Sequence, residues 1–316
     1  MNTTPPITLK AGATRTLQPL ADPAGPNNAA AHLDAVENLM LELATESAVA
    51  ETQIHQSLRE HFAAGGKRIR ALMALTVGQS LAINAPSRLA IAACCELLHN
   101  ASLIHDDIQD ADDTRRDQPS LWASYGTDLA ICAGDDLISA AYAALAHTDT
   151  PSALPDLIKQ THKAISRTVA GQTADLAQTG LALDDITLYE TIAGEKSGPL
   201  LGLPVSLCLL VAGHQDQLDR VKRIERLVAI AYQFVDDIGD WQDDQAQGSL
   251  NGVLVLARAQ KTTPIAAINE AAALTRRHLL HAREQAKSLP HGSGAVFIDL
   301  ADRLDAKLTR ELSLAS

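Results

Sequence analysis

Apolar residues recur at three- and four-residue intervals along most of the chain, starting near Ala29, where Leu33, Val36, Met40 and Leu43 share one face. The period predicts further helices over Ala48–His61, Ile69–Leu81, Ser87–Asp110, Asp128–Ala146 and Ser152–Leu181. An apolar run over Pro199–Ala212 follows, then a helix from Asp216 to the aspartates ending at Asp240, and amphipathic segments at Thr263–Ala286 and Ala295–Leu312. Gly65-Gly66 and the small-residue stretch Ala193–Gly198 read as breaks, and Asp110–Pro119 as a loop. No stretch alternates with the β-branched and aromatic enrichment of strands. The expectation is an all-α chain folded as one domain over 29–316. Residues 1–28 hold five prolines and no period, and read as a flexible arm.

Composition agrees with helix packing. The 316 residues are 46% hydrophobic but only 3% aromatic. A net charge of −12 argues against nucleic acid or an anionic membrane as a partner reached through bulk charge, so an anionic ligand has to be captured locally. Cys94, Cys95, Cys132 and Cys208 each lie in an apolar run, without metal-ligand spacing, and read as buried reduced thiols. No apolar run reaches membrane-spanning length and no secretion signal opens the chain, so the expected location is cytoplasmic, with no stable membrane insertion.

The candidate chemistry centres on Glu96–Pro119. Asp106 and Asp110 are one helical turn apart, with Asp107 beside them. Like charges at that spacing repel unless a cation sits between them, and hard carboxylate oxygens suit Mg²⁺. Arg115 and Arg116 follow, with planar forks suited to phosphate oxygens. Taken alone, the stretch also fits a solvated helix end. Gly65-Gly66 opening a helix beside Lys67, Arg68 and Arg70 fits an anion cradle and a basic surface turn equally. Gln172 and Asp175, one turn apart, fit a ligand-facing or a surface position, and Lys196 fits phosphate contact or plain solvation. The discriminating feature is a second Asp-Asp-x-x-Asp, Asp236, Asp237 and Asp240, ending another apolar helix. Two such clusters, far apart in sequence, point to paired metal-binding walls.

Five ordered features then resemble the trans-isoprenyl diphosphate synthase (polyprenyl synthetase) family, over about Gly65 to Gly248. They are Gly65-Gly66-Lys67-Arg68-x-Arg70; His99; Asp106-Asp107-x-x-Asp110 with Arg115-Arg116; Lys196-Ser197; and Tyr232-Gln233 before Asp236-Asp237-x-x-Asp240. The resemblance implies the isoprenoid synthase fold, an antiparallel helix bundle around a central apolar cavity. It also implies head-to-tail condensation of an allylic prenyl diphosphate with isopentenyl diphosphate, three Mg²⁺ ions and a homodimer. By that resemblance Asp106, Asp107, Asp110, Asp236 and Asp240 hold metal. Arg115, Lys196, Ser197 and Gln233 meet the allylic diphosphate or its metal shell, and Gly66, Lys67, Arg70, His99 and Arg116 hold isopentenyl diphosphate. The catalytic set is Asp106, Asp107, Asp110, Arg115, Lys196 and Asp236.

Ala101 and Ser102, five and four residues before Asp106, are small where short-chain members place an aromatic. This implies a product longer than farnesyl, geranylgeranyl or medium-chain polyprenyl. Three positions depart from the family pattern, Trp122 for a frequent His, Asp117 for Gly and Ala71 for Pro, and the usual Gly-Lys and Asp-x-x-x-Gly-Lys pattern after Asp240 is absent, leaving Arg258 or Lys261 as candidate substitutes. These departures keep open a class I terpene cyclase, which uses no isopentenyl diphosphate. Intact Lys67, Arg70, His99 and Arg116 favour the synthase. All six aspartates weigh against a catalytically silent regulatory subunit.

Overall fold

The computed structural model describes residues 29–46 and 52–314. The expected N-terminal arm, and the start of the helix expected from Ala48, lie outside the described residues. The first half of the chain forms α1 (Ala29–Ala44), α2 (Gln53–Ala63), α3 (Ile69–Ser80), α4 (Ala85–Gln109), α5 (Leu121–Tyr125) and α6 (Thr127–Leu145). The second half forms α7 (Leu154–Leu176), α8 (Ile186–Val211), α9 (Leu218–Gln247), α10 (Gly252–Gln260), α11 (Pro264–Ala286) and α12 (Ala295–Leu314). The fold is all-α, as expected. The one ladder among the described residues is a pair of two-residue strands, β1 (Thr114–Arg115) and β2 (Gln118–Pro119), within the loop after α4.

The helices gather into two compact units. In the unit made of the described residues up to Ile69 together with Ala85–Asp149, α4 is the axis, and α1 and α6 pack against it. Every residue of α4 from Leu89 to Leu98 is buried, which explains why that stretch is apolar all round rather than striped. In the unit made of Arg70–Asn84 and Thr150–Ser316, α8 and α9 are central, flanked by α7, α11 and α12. Its core includes Tyr189 and Phe234, whose rings lie 4.9 Å apart, with Val235, Ile238, Val253 and Leu308 around them.

Several expectations are corrected. Ala193–Gly198 is no break, because α8 runs through it. Its glycines serve close approach instead of a turn. Gly194, Gly198 and Gly202 recur every four residues on the face that meets α9, and a Cβ on Gly202 would stand 1.9 Å from Glu225 Oε2. Nor does α9 stop at Asp240; it continues to Gln247 and ends where Gly248 takes φ 73°. The repulsion that would end it is relieved by partners. Lys307 binds Asp236, Tyr189 and the Gly252 N–H bind Asp237, and Asn251 Nδ2 donates to Asp244 at 2.8 Å. The helix expected to reach Leu181 ends at Leu176, and α10, capped by the Asn251 side chain, is additional. Cys94, Cys95 and Cys208 are buried, whereas Cys132 is exposed on α6. None of the described helices is long and apolar enough to cross a membrane.

At Gly202 the steric argument is directly testable. Gly202→Ala should cost about 1–3 kcal/mol, since overpacking against the Glu225 carboxylate outweighs the better helix propensity of alanine. Urea unfolding should show a lower midpoint with an unchanged m value.

Candidate active site

The first aspartate set sits where α4 ends. Asp106 is half-buried, Asp107 is 2% exposed and Asp110 is exposed. Helical geometry therefore turns the middle carboxylate inward and leaves the outer two on the accessible face. Asp107 is met by Arg115, whose Nε donates to Oδ1 at 2.6 Å while Nη2 donates to the same oxygen. Burial raises the Asp107 carboxyl above the ordinary range, and the Arg115 fork pulls it part of the way back.

Arg115 reaches Asp107 because the loop doubles back. Arg116 and Asp117 link β1 to β2 with φ 56° and 61°, the two left-handed residues of a type I′ turn. That is why glycine suits position 117, and why aspartate, which tolerates this region better than most side chains, can replace it. Trp122 closes the loop by donating its indole N–H to Asp112 O at 2.8 Å. The Arg116 guanidinium lies over Gly66, where φ is +153° and a Cβ would be 2.9 Å from Nη2. Burial, with Arg68 and Arg115 nearby, lowers the Arg116 pKa.

Lys67 is exposed beside Gly66, on a loop anchored by the buried Arg68. Arg68 Nε donates to Glu37 at 2.7 Å and Nη2 to Phe62 O at 3.1 Å, with Glu96 at 3.9 Å from Nη1. Sequence reasoning listed Arg68 among the cradle cations, but its side chain faces the interior. His61, half-buried and hydrogen-bonded to Asn100 at 3.0 Å, is pushed down to about 4, chiefly by loss of solvation, and is neutral near pH 7. With Arg115, Arg116 and Glu60 it lines a cavity of about 620 Å³. On α4, His99 and Ser102 are half-buried, Ala101 is fully buried, and Ser102 Oγ donates to His99 O at 2.9 Å.

The other unit repeats the aspartate pattern. Asp236 is half-buried, Asp237 is 3% exposed and Asp240 is exposed. The buried member accepts from Tyr189 Oη and from the Gly252 N–H, and burial pushes it up to about 8. Asp236 is paired with Lys307 of α12. Lys196 Nζ donates to Asp175 Oδ2 at 2.6 Å, which answers the question left open for Asp175. Gly171 makes that approach possible, because a Cβ there would be 2.3 Å from the Lys196 backbone nitrogen. Beneath this, Arg167 donates to Glu195 at 2.6 Å and to the buried Glu225 at 2.6 Å. Gln233 and Ser197 are half-buried, as is Arg70 in α3. Sequence reasoning missed Lys307 and Tyr189, and no local signal marks either.

Among the described residues, no three His, Cys, Asp or Glu side chains converge as a ready-made metal cage. Mg²⁺ does not require one, since it keeps several waters and binds through one or two carboxylates plus substrate phosphates. Each i,i+4 carboxylate pair, Asp106 with Asp110 and Asp236 with Asp240, offers donors of the right kind, and the second already carries a protein cation.

The pattern of the polyprenyl synthetase family matches residues 51–286, and the chain belongs to that family. Geranylgeranyl pyrophosphate synthase of Capsicum annuum is 34% identical over 195 residues, 59% of this chain and 53% of the relative. Nonaprenyl diphosphate synthase of Mycobacterium tuberculosis is 32% identical over 69% of this chain and 63% of its own length. The chain thus spans about half to two-thirds of the curated relatives it matches. In fold it resembles a geranylgeranyl pyrophosphate synthetase from Geoglobus acetivorans, with TM-score 0.76 and 22% identity over 87% of this chain and 98% of that one. A decaprenyl diphosphate synthase from Rhodobacter capsulatus gives TM-score 0.76 and 19% identity over 88% and 97%. These neighbours are isoprenoid synthases in fold.

The buried Asp237 makes stability pH-dependent. Its folded pKa of about 8 exceeds the ordinary 3.8, so between these values the folded chain holds a proton that the unfolded chain has lost. That contribution is fully present below about pH 4 and declines as pH rises towards 8, with a slope of up to about 1.4 kcal/mol per pH unit. Asp237→Asn should flatten the fall in unfolding free energy measured across this window.

Proposed function

We propose that this chain is a trans-prenyltransferase that joins an allylic prenyl diphosphate to isopentenyl diphosphate, giving a product longer than farnesyl. The observation that carries the reading is the repeated aspartate pattern. In both sets the middle carboxylate is buried on protein donors, while the first and last stand accessible one turn apart. Such a pair offers hard oxygens without closing a cage, which leaves room for phosphate.

In this reading Asp106, Asp110, Asp236 and Asp240 are the metal-facing carboxylates. Asp107, first expected among the ligands, is assigned to fixing the Arg115 fork. Mg²⁺, when bound, stabilises the negative charge that grows on the departing diphosphate. Arg115 and Lys196 each hold one carboxylate now and can turn to phosphate oxygens as those arrive, with Ser197 and Gln233 as nearby hydrogen-bonding groups. Lys67, Arg70, His99 and Arg116 take the second diphosphate, and the Gly66 surface fixes where the Arg116 guanidinium lies. Intact cations of this second group support condensation with isopentenyl diphosphate. The names of the geranylgeranyl and nonaprenyl relatives, together with the small Ala101 and Ser102, support a longer product.

Given Mg²⁺, farnesyl diphosphate and labelled isopentenyl diphosphate, the protein should put label into a longer prenyl diphosphate. A hydrocarbon formed from farnesyl diphosphate alone would instead establish a cyclase. Ser102→Phe should shorten the product, and unchanged length would move the chain-length determinant off α4. Gly66→Ala should raise the KM for isopentenyl diphosphate by about tenfold, roughly 1.4 kcal/mol, and leave the KM for the allylic substrate near the wild-type value.

A further inference from the structure

We propose that Lys307 is a built-in counter-cation of the second aspartate set, which a divalent cation must displace in order to reach Asp236. The proposal rests on the reading of Asp236 as a metal ligand. Lys307 extends from α12 and its ammonium binds Asp236 Oδ1 on α9. One turn further along α12, the Glu311 carboxylate lies where a Cβ on Gly239 would be 3.4 Å from Oε2, so α12 follows α9 across the whole motif.

The surrounding charge explains why a cation is held there. On α9, Asp237, Asp240, Asp243 and Asp244 follow Asp236, and Glu311 adds a carboxylate from α12. Between Trp241 and Lys261 the sequence offers two cations, Lys261, exposed at the end of α10, and Arg258, whose Nη1 donates to Leu183 O at 3.2 Å. Lys307 is the basic side chain the structure places on Asp236.

Accessibility explains why the pair can exchange. The Lys307 and Asp236 side chains are 38% and 27% exposed, so the ammonium can leave for water without being stranded in the interior. Oδ1 cannot be the close partner of an ammonium and of a metal ion in the same position. Occupancy by one therefore opposes occupancy by the other.

The test titrates the full chain with Mn²⁺ and follows the free ion by electron paramagnetic resonance. Lys307→Ala should bind Mn²⁺ roughly three- to tenfold more tightly than wild type, and Lys307→Arg, which keeps the cation, should stay close to wild type. The gain should vanish in an Asp236→Asn background. Arg303→Ala removes the same charge from α12 at a residue paired with Asp299, and should give a smaller gain. Wild-type affinity in Lys307→Ala, a gain that survives Asp236→Asn, or an equal gain in Arg303→Ala would overturn the proposal. Mn²⁺ binding in the wild type that ignores Asp236→Asn would instead remove Asp236 from the metal ligands. Lys307→Gln, which retains most of the side-chain stem, gives the same comparison if the alanine variant unfolds.

Discussion

A carboxylate drawn partly or wholly out of water is stabilised by a cation, and in this protein that pairing connects folding to chemistry. Three basic side chains close on three aspartates: Arg115 on Asp107, Lys196 on Asp175 and Lys307 on Asp236. Each pair lies within one compact unit. An acidic chain with two dense aspartate clusters would otherwise hold them at a large electrostatic cost in the free state. The pairings neutralise one carboxylate in each cluster, and they hold the cations beside the carboxylates that metal and diphosphate would engage.

Placing those pairs requires close helix packing. Lys196 reaches Asp175 because α7 and α8 touch at Gly171, and α8 approaches α9 along Gly194, Gly198 and Gly202. Arg167 cross-links the three helices through Glu195 and Glu225 beneath the surface. The middle aspartates belong to the same scaffold. Asp237 ties α9 to Tyr189 of α8 and to the start of α10, while Asp107 ties α4 to the loop hairpin. In each Asp-Asp-x-x-Asp, one carboxylate is structural and the outer two remain accessible.

Much of this is legible in the chain itself. The helical period, the two aspartate motifs and the flanking cations were all local patterns, and local patterns survive folding. Long-range partners were not legible. The glycines around Lys196 looked like a break, because glycine marks both a turn and a close approach, and only the neighbouring helix distinguishes them. The second aspartates looked like a helix end, because the groups that relieve their repulsion, Tyr189 and Lys307, lie 48 and 71 residues away. Within α12, Lys307 looks like any lysine on an amphipathic helix. Arg68 was read with the phosphate-facing cations, although burial against Glu37 and Glu96 makes it an anchor.

In the proposed reading the accessible carboxylates of each motif are metal ligands, engaged together with diphosphate. A crystal structure with Mg²⁺ and a non-reactive thio-analogue of an allylic diphosphate tests it most directly. Mg²⁺ is expected on Asp106 and Asp110 and on Asp236 and Asp240, with Arg115 and Lys196 turned from Asp107 and Asp175 towards phosphate oxygens. Metal bound away from these carboxylates, or a diphosphate held while both cations keep their present partners, would contradict it.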